Sequence, residues 1–183
     1  VKKALHKLLN CKNINDIDVR STIFNQPIYY SENTAPAYIS ISHTDSLGAC
    51  TASQIEHPIT IDIEEIDGSQ TKNMLKLFTR NEINLIGSSK INSTELATIL
   101  WSAREALSKI LTCGFTASPH VLEVSTVENH DTYTTTTFQH FKQYSCSSFT
   151  VDNHILSIVH PKNSILKNTH SLSQLTLRAK AHA

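Results

Sequence analysis

Residues 93–111, STELATILWSAREALSKIL, carry the strongest helical period in the chain, with Leu96, Ile99, Leu100, Ala103, Leu107, Ile110 and Leu111 on one apolar stripe. Ser93 reads as its N-cap, and Thr112-Cys113-Gly114 as its stop. A helix this long and this apolar on one face needs a surface to cover, and strand patterns on both sides of it supply one. Ahead of it, Tyr38 to His43 alternates, TDSLG turns, and the chain runs back over 49–55 before ITIDIE at 59–64. Behind it, strands are predicted at about 120–127, 133–141, 144–151 and 154–160, the last two joined by Asp152-Asn153. Shorter helical patterns fall at 2–10, 73–78 and 82–86. Strand pieces at 21–24 and 28–30 flank the turn-like Asn25-Gln26-Pro27. The class this order predicts is α+β, with strand clusters around a helical insert. The polar tail beyond Pro161 reads as weakly ordered or as a docking helix.

Formal net charge is zero over 183 residues, so global charge gives no sign of nucleic-acid binding, and a charged partner must be met by a local patch. Cysteines 11, 50, 113 and 146 form no Cys-x-x-Cys pair and no zinc pattern, as expected of reduced thiols in a cytoplasmic protein. No apolar run approaches the roughly 20 residues that span a bilayer, and the N-terminal residues do not read as a signal-peptide h-region. The first residue is Val1 rather than methionine, as in a trimmed or partial product.

Three short motifs carry chemistry. In ITIDIE the isoleucines line one strand face while Thr60, Asp62 and Glu64 share the other. Two carboxylates about 5 Å apart repel by roughly 3 kcal/mol at an effective dielectric near 20, a cost that a hard divalent cation such as Mg²⁺ removes. Solvated acids on an exposed edge are the plainer alternative. In WSAREALSK, Glu105 and Lys109 lie four apart on the helix, opposite the leucine stripe and beside Trp101. That spacing also suits a surface ion pair worth only about 0.3–0.5 kcal/mol. In ISISHT (39–44) a strand ends in Ser42-His43 at a turn, where a hydroxyl, an imidazole and free N–H groups can meet a phosphate, or the histidine can be structural.

Taken in order, these motifs resemble the 4′-phosphopantetheinyl transferase superfamily: an SH-containing strand, a Gly-x-Asp-x-Glu strand, and a Trp-x-x-Lys-Glu-(Ala/Ser)-x-x-Lys helix. Phe78-Thr79-Arg80-Asn81-Glu82 is similar to the family's Phe-(Ser/Thr)-x-x-Glu segment. Roughly 60 residues precede the Asp-x-Glu strand, which resembles the long monomeric, surfactin-synthetase-activating type. The resemblance covers about residues 1–160. It implies a pseudo-dimer of two similar α+β halves with the active site at their junction near Pro58. The expected division is 1–58 for the coenzyme A side, 59–160 for the metal and catalytic residues, and 161–183 as a tail. The first half is expected to be incomplete, since the basic segment of longer relatives is not found before the first helix.

The implied activity is Mg²⁺-dependent transfer of phosphopantetheine from coenzyme A to a serine of an acyl or peptidyl carrier protein, releasing adenosine 3′,5′-bisphosphate. Asp62, Glu64 and Glu105 would ligate the metal. Glu105 would take the serine proton, and Lys109 would neutralise phosphate charge. Ser42, His43, Gln26 and Lys109 would contact the coenzyme. Thr60 stands where the family has glycine and is expected to crowd the coenzyme. Gln26 stands where a lysine is usual, and Arg104 replaces the lysine before Glu105. The alternative is a non-catalytic relative that still docks carrier proteins or a partner enzyme. Because the carriers are acidic, Lys72, Lys76, Arg80 and Arg104 are the expected docking cations, with no membrane or nucleic-acid partner.

Overall fold

The structure, a computed structural model, describes residues 1–23, 26–31 and 35–167. The alternation in ITIDIE becomes strand β5 (Thr60–Glu65), which takes its place after helix α1 (Lys2–Leu9) and four strands: β1 (Asp18–Ser21), β2 (Pro27–Tyr30), β3 (Ala37–His43) and β4 (Gly48–Gln54). Helices α2 (Gly68–Leu75), α3 (Arg80–Ser88) and α4 (Ser93–Ile110) follow, then β6 (Val124–Asn129), β7 (Thr134–Phe138), β8 (Tyr144–Val151) and β9 (His154–Pro161). β1–β2 and β3–β4 are antiparallel hairpins, and the remaining strands form one antiparallel sheet in the order β5-β9-β8-β7-β6. Helices and antiparallel sheets in sequence-local groups make this an α+β fold.

Several boundaries differ from the sequence pattern for local reasons. Asn92, not Ser93, caps α4, its side-chain oxygen accepting from the N–H groups of Thr94 and Glu95. Helix α2 starts well before residue 73 because Asp67 caps it through the Ser69 N–H. The first strand lies at 18–21 rather than 21–24, paired with β2 from Asp18–Tyr30 to Ser21–Pro27. Residues 119–122 form a 3₁₀ turn, with Pro119 in its first turn, so β6 begins at Val124. Phe24, Asn25 and the tail expectation for 168–183 lie outside the described residues.

Helix α4 packs across β5 and β9 and carries the main core. Leu96, Leu100 and Leu107 are fully buried there, each worth about 2 kcal/mol relative to exposure. On the opposite sheet face Ile61 and Ile63 pack with Phe149, Val151, Leu156 and Ile158, as the period of two requires. That leaves Thr60, Asp62 and Glu64 pointing at α4. A smaller cluster of Leu5, Ile17 and Ile39 joins α1 to β3.

Strand β5 pairs with β9 along one edge. Along its other edge lies the β3–β4 hairpin, joined by hydroxyls rather than by a backbone ladder. Ser40 Oγ accepts from Ile61 N–H at 3.2 Å and donates to Ile61 O at 3.3 Å. Ser42 Oγ accepts from Ile63 N–H at 3.2 Å. Thr51 Oγ1 donates to Ile59 O, and Ser53 Oγ accepts from Ile59 N–H. The edge that would otherwise be open is thus satisfied by side chains. Among the described residues no helix is long and apolar enough to cross a membrane.

Candidate active site

Helix α4 brings Glu105 over the polar face of β5. One carboxylate oxygen from each of Asp62, Glu64 and Glu105 lies within 4.8 Å of the others. Among the described residues this trio alone has three or more carboxylate, imidazole or thiolate ligand atoms close enough to share an ion. All its donors are oxygens, the set a hard cation such as Mg²⁺ prefers.

Asp62 is the rigid member, 1 % exposed. Its Oδ1 accepts from Ser42 Oγ at 2.9 Å and from Lys109 Nζ at 2.8 Å, and its Oδ2 accepts from Ser102 Oγ at 2.8 Å. A carboxylate offers about four lone-pair sites, so these donors leave room for a metal bond. Glu64 and Glu105 are partly buried and have little of this support. Burial, and after it the charge of Asp62, push Glu64 up to about 7, against the lowering effects of Lys109 and a hydrogen bond with Trp101. Burial, then Asp62, then Glu64 push Glu105 up to about 8. Three carboxylates with one ammonium among them hold excess negative charge, and a divalent ion would offset it. The residues fit the metal.

Lys109 spans the seam between the hairpin and the large sheet. Besides Asp62, its Nζ donates to Ile61 O at 3.0 Å and Ile41 O at 3.4 Å. Tyr38 Oη donates to Lys109 O at 2.6 Å, tying the end of α4 to β3, and burial raises the Tyr38 pKa. From Lys109 a cleft of about 900 Å³ runs between β2, β3 and the end of α4, lined among others by Gln26, Tyr29, Tyr38, Ser40, Ile41 and Cys113. The structure therefore brings Gln26 and Lys109 to one cavity. Ser42 sits at the seam with its hydroxyl bonded to Asp62, and His43 ends β3 exposed to solvent; neither lines that cleft.

Two expectations need correction. Arg104 is not a surface cation. It is 1 % exposed, paired with the fully buried Glu82, donating to Leu77 O at 3.0 Å and stacked 5.0 Å from the Phe78 ring centroid. Glu82 also completes a capping box with Thr79 and accepts from Val124 N–H at 2.9 Å. The Phe78–Glu82 segment thus fixes α4 from behind. Thr60 does not reach toward the cleft either. Its side chain is fully buried against α4, where Oγ1 donates to Ala106 O at 2.6 Å. Ser102 went unnoticed in the sequence, although its i−3 position from Glu105 places it on the same helix face.

A family model described as the 4′-phosphopantetheinyl transferase superfamily matches residues 58–159. The matched span holds Asp62, Glu64, Glu105 and Lys109, and leaves out Gln26, Ser42 and His43. No curated protein matches the chain.

Proposed function

The chain belongs to the 4′-phosphopantetheinyl transferase superfamily, and from that premise we propose that it moves phosphopantetheine from coenzyme A to a serine of an acyl or peptidyl carrier protein. The observation that carries this reading is the meeting of Asp62, Glu64 and Glu105 within 4.8 Å, with Lys109 Nζ 2.8 Å from Asp62 at one end of a 900 Å³ cleft.

Asp62, Glu64 and Glu105 hold a divalent cation, Mg²⁺ by the hardness of the oxygen donors. When bound, that ion neutralises charge on the pyrophosphate oxygens. Phosphoryl transfer asks for positioning and charge neutralisation more than for covalent help from the protein, so the chain's remaining tasks are few. The cleft between β2, β3 and α4 takes the coenzyme, with Gln26 and Lys109 at its phosphates. Ser42 keeps Asp62 in place, and His43 remains available to the nucleotide end. Glu105, ionised once the cation offsets the charge of Asp62 and Glu64, accepts the proton of the carrier serine directly or through water. The serine oxygen bonds to the phosphorus that bears pantetheine as the pyrophosphate P–O bond breaks. Lys109 Nζ then donates to the departing adenosine 3′,5′-bisphosphate.

The acidic carrier docks on the side carrying Lys72, Lys76 and Arg80, which are exposed at the end of α2 and the start of α3 beside the exposed apolar Leu77. We assign the chain to the long monomeric type, with residues 1–58 and 59–160 as the two halves and the hydroxyl seam between β3 and β5 as their junction.

Incubation with coenzyme A, Mg²⁺ and a panel of apo acyl and peptidyl carrier proteins tests this. At least one carrier gains the mass of the phosphopantetheine arm. A folded protein that leaves every carrier unmodified overturns the proposal.

A further inference from the structure

Strand β5 and helix α4 run side by side in opposite directions, and two hydroxyl bonds join them at matched intervals. Ser102 Oγ meets Asp62, and Thr60 Oγ1 meets Ala106 O. From residue 60 to 62 the strand advances about 6.7 Å. From 102 to 106 the helix rises about 6 Å. The two bonds therefore act as paired rungs, and Glu105 lies between them on the helix. All four residues are at most 1 % exposed, so water does not compete for these hydroxyls.

We propose that Thr60 is a positioning residue for the metal centre, its hydroxyl fixing the rotation and height of α4 that place Glu105 beside Asp62 and Glu64. This rests on the metal reading above. Ser102 and the flexible Lys109 side chain also join α4 to β5, but Thr60 alone bonds the helix backbone next to Glu105, so its loss frees that turn to shift by a few tenths of an ångström. Mg²⁺ and Mn²⁺ need ligand distances set within a few tenths of an ångström, so a small shift at Glu105 is felt as lost affinity. Loss of an outer partner that orients a ligand typically weakens metal binding about 10- to 100-fold. Coenzyme binding, by contrast, does not pass through Thr60, because the side chain faces α4 and not the cleft.

The test uses the full chain and Mn²⁺ as the probe, with free ion counted by electron paramagnetic resonance and coenzyme A binding measured separately by calorimetry without metal. Thr60→Val keeps the branched shape and removes the donor. The Ala106 carbonyl keeps its helical donor, so nothing buried is orphaned. Thr60→Val is expected to bind Mn²⁺ about tenfold more weakly. Its coenzyme A affinity stays within about twofold of the parent protein, and Thr60→Ser restores Mn²⁺ binding. Unchanged Mn²⁺ affinity in Thr60→Val overturns the inference. So does equal weakening of both ligands, or failure of serine to rescue. If valine prevents folding, Thr60→Ser against Thr60→Ala gives the same comparison. A parent protein that takes up no Mn²⁺ overturns the metal reading itself, and this inference with it.

Discussion

Replacing Arg104 by methionine should destabilise the protein far more than any exposed cation would. The guanidinium sits 1 % exposed against a fully buried carboxylate. Removing one partner of such a pair costs about 3–5 kcal/mol, because the other charge stays buried without it. Glu82 would still accept from the N–H groups of Thr79 and Val124, at 2.8 and 2.9 Å, which argues for the lower end, about 3 kcal/mol. Leu77 O loses its donor as well, adding about 1 kcal/mol. Methionine refills the space of the alkyl stem, so the cavity cost is small. The sum is about 4 kcal/mol, or a fall in melting temperature of about 8–16 °C at this chain length. Urea unfolding followed by the fluorescence of Trp101, the single tryptophan and itself on α4, reads the change. The double variant Glu82→Gln/Arg104→Met should cost clearly less than the two single changes added together. A loss below about 1 kcal/mol for Arg104→Met, or strict additivity in the double variant, would refute the buried-pair account.

The remaining predictions concern protons and metal at the carboxylates. Glu64 and Glu105 lie at about 7 and about 8, above their ordinary 4.5, so the metal-free folded protein binds more protons than the unfolded chain across that window. Its stability should therefore fall as pH rises from about 4.5 to 8, as thermal melts in a metal chelator would show; a flat profile there contradicts the assigned crowding. Metal must displace those protons, so added Mg²⁺ should raise the melting temperature more near pH 8 than near pH 6, and equal shifts at both would count against the three-carboxylate site.

How much of this was legible in the sequence depended on whether local period alone decided a side chain's direction. Alternation in ITIDIE put Asp62 and Glu64 on one face, and the four-residue step from Glu105 to Lys109 put those two on another. Both faces follow from geometry that tertiary contacts do not alter. Arg104 was misplaced because a charged residue on a helix is normally solvated. Here α4 is covered on most of its circumference, and Glu82 arrives from a separate helix to meet the charge. Thr60 was misjudged for a related reason. The sequence shows a side chain where the family has none, but only the packing of β5 against α4 shows that it fills an interface and bonds Ala106 O. Ser102 was within reach of helical spacing. The hydroxyl seam of Ser40, Ser42, Thr51 and Ser53 was not, since it depends on both strands of the β3–β4 hairpin turning one face to the edge of β5 without sharing a ladder with it.

The most direct measurement of the central claim is a crystal structure grown with Mn²⁺ and coenzyme A, with anomalous scattering locating the metal. The account predicts a single strong peak bonded to oxygens of Asp62, Glu64 and Glu105, with the coenzyme pyrophosphate beside it and Lys109. A peak elsewhere, or coenzyme lying outside the cleft between β2, β3 and α4, would contradict it.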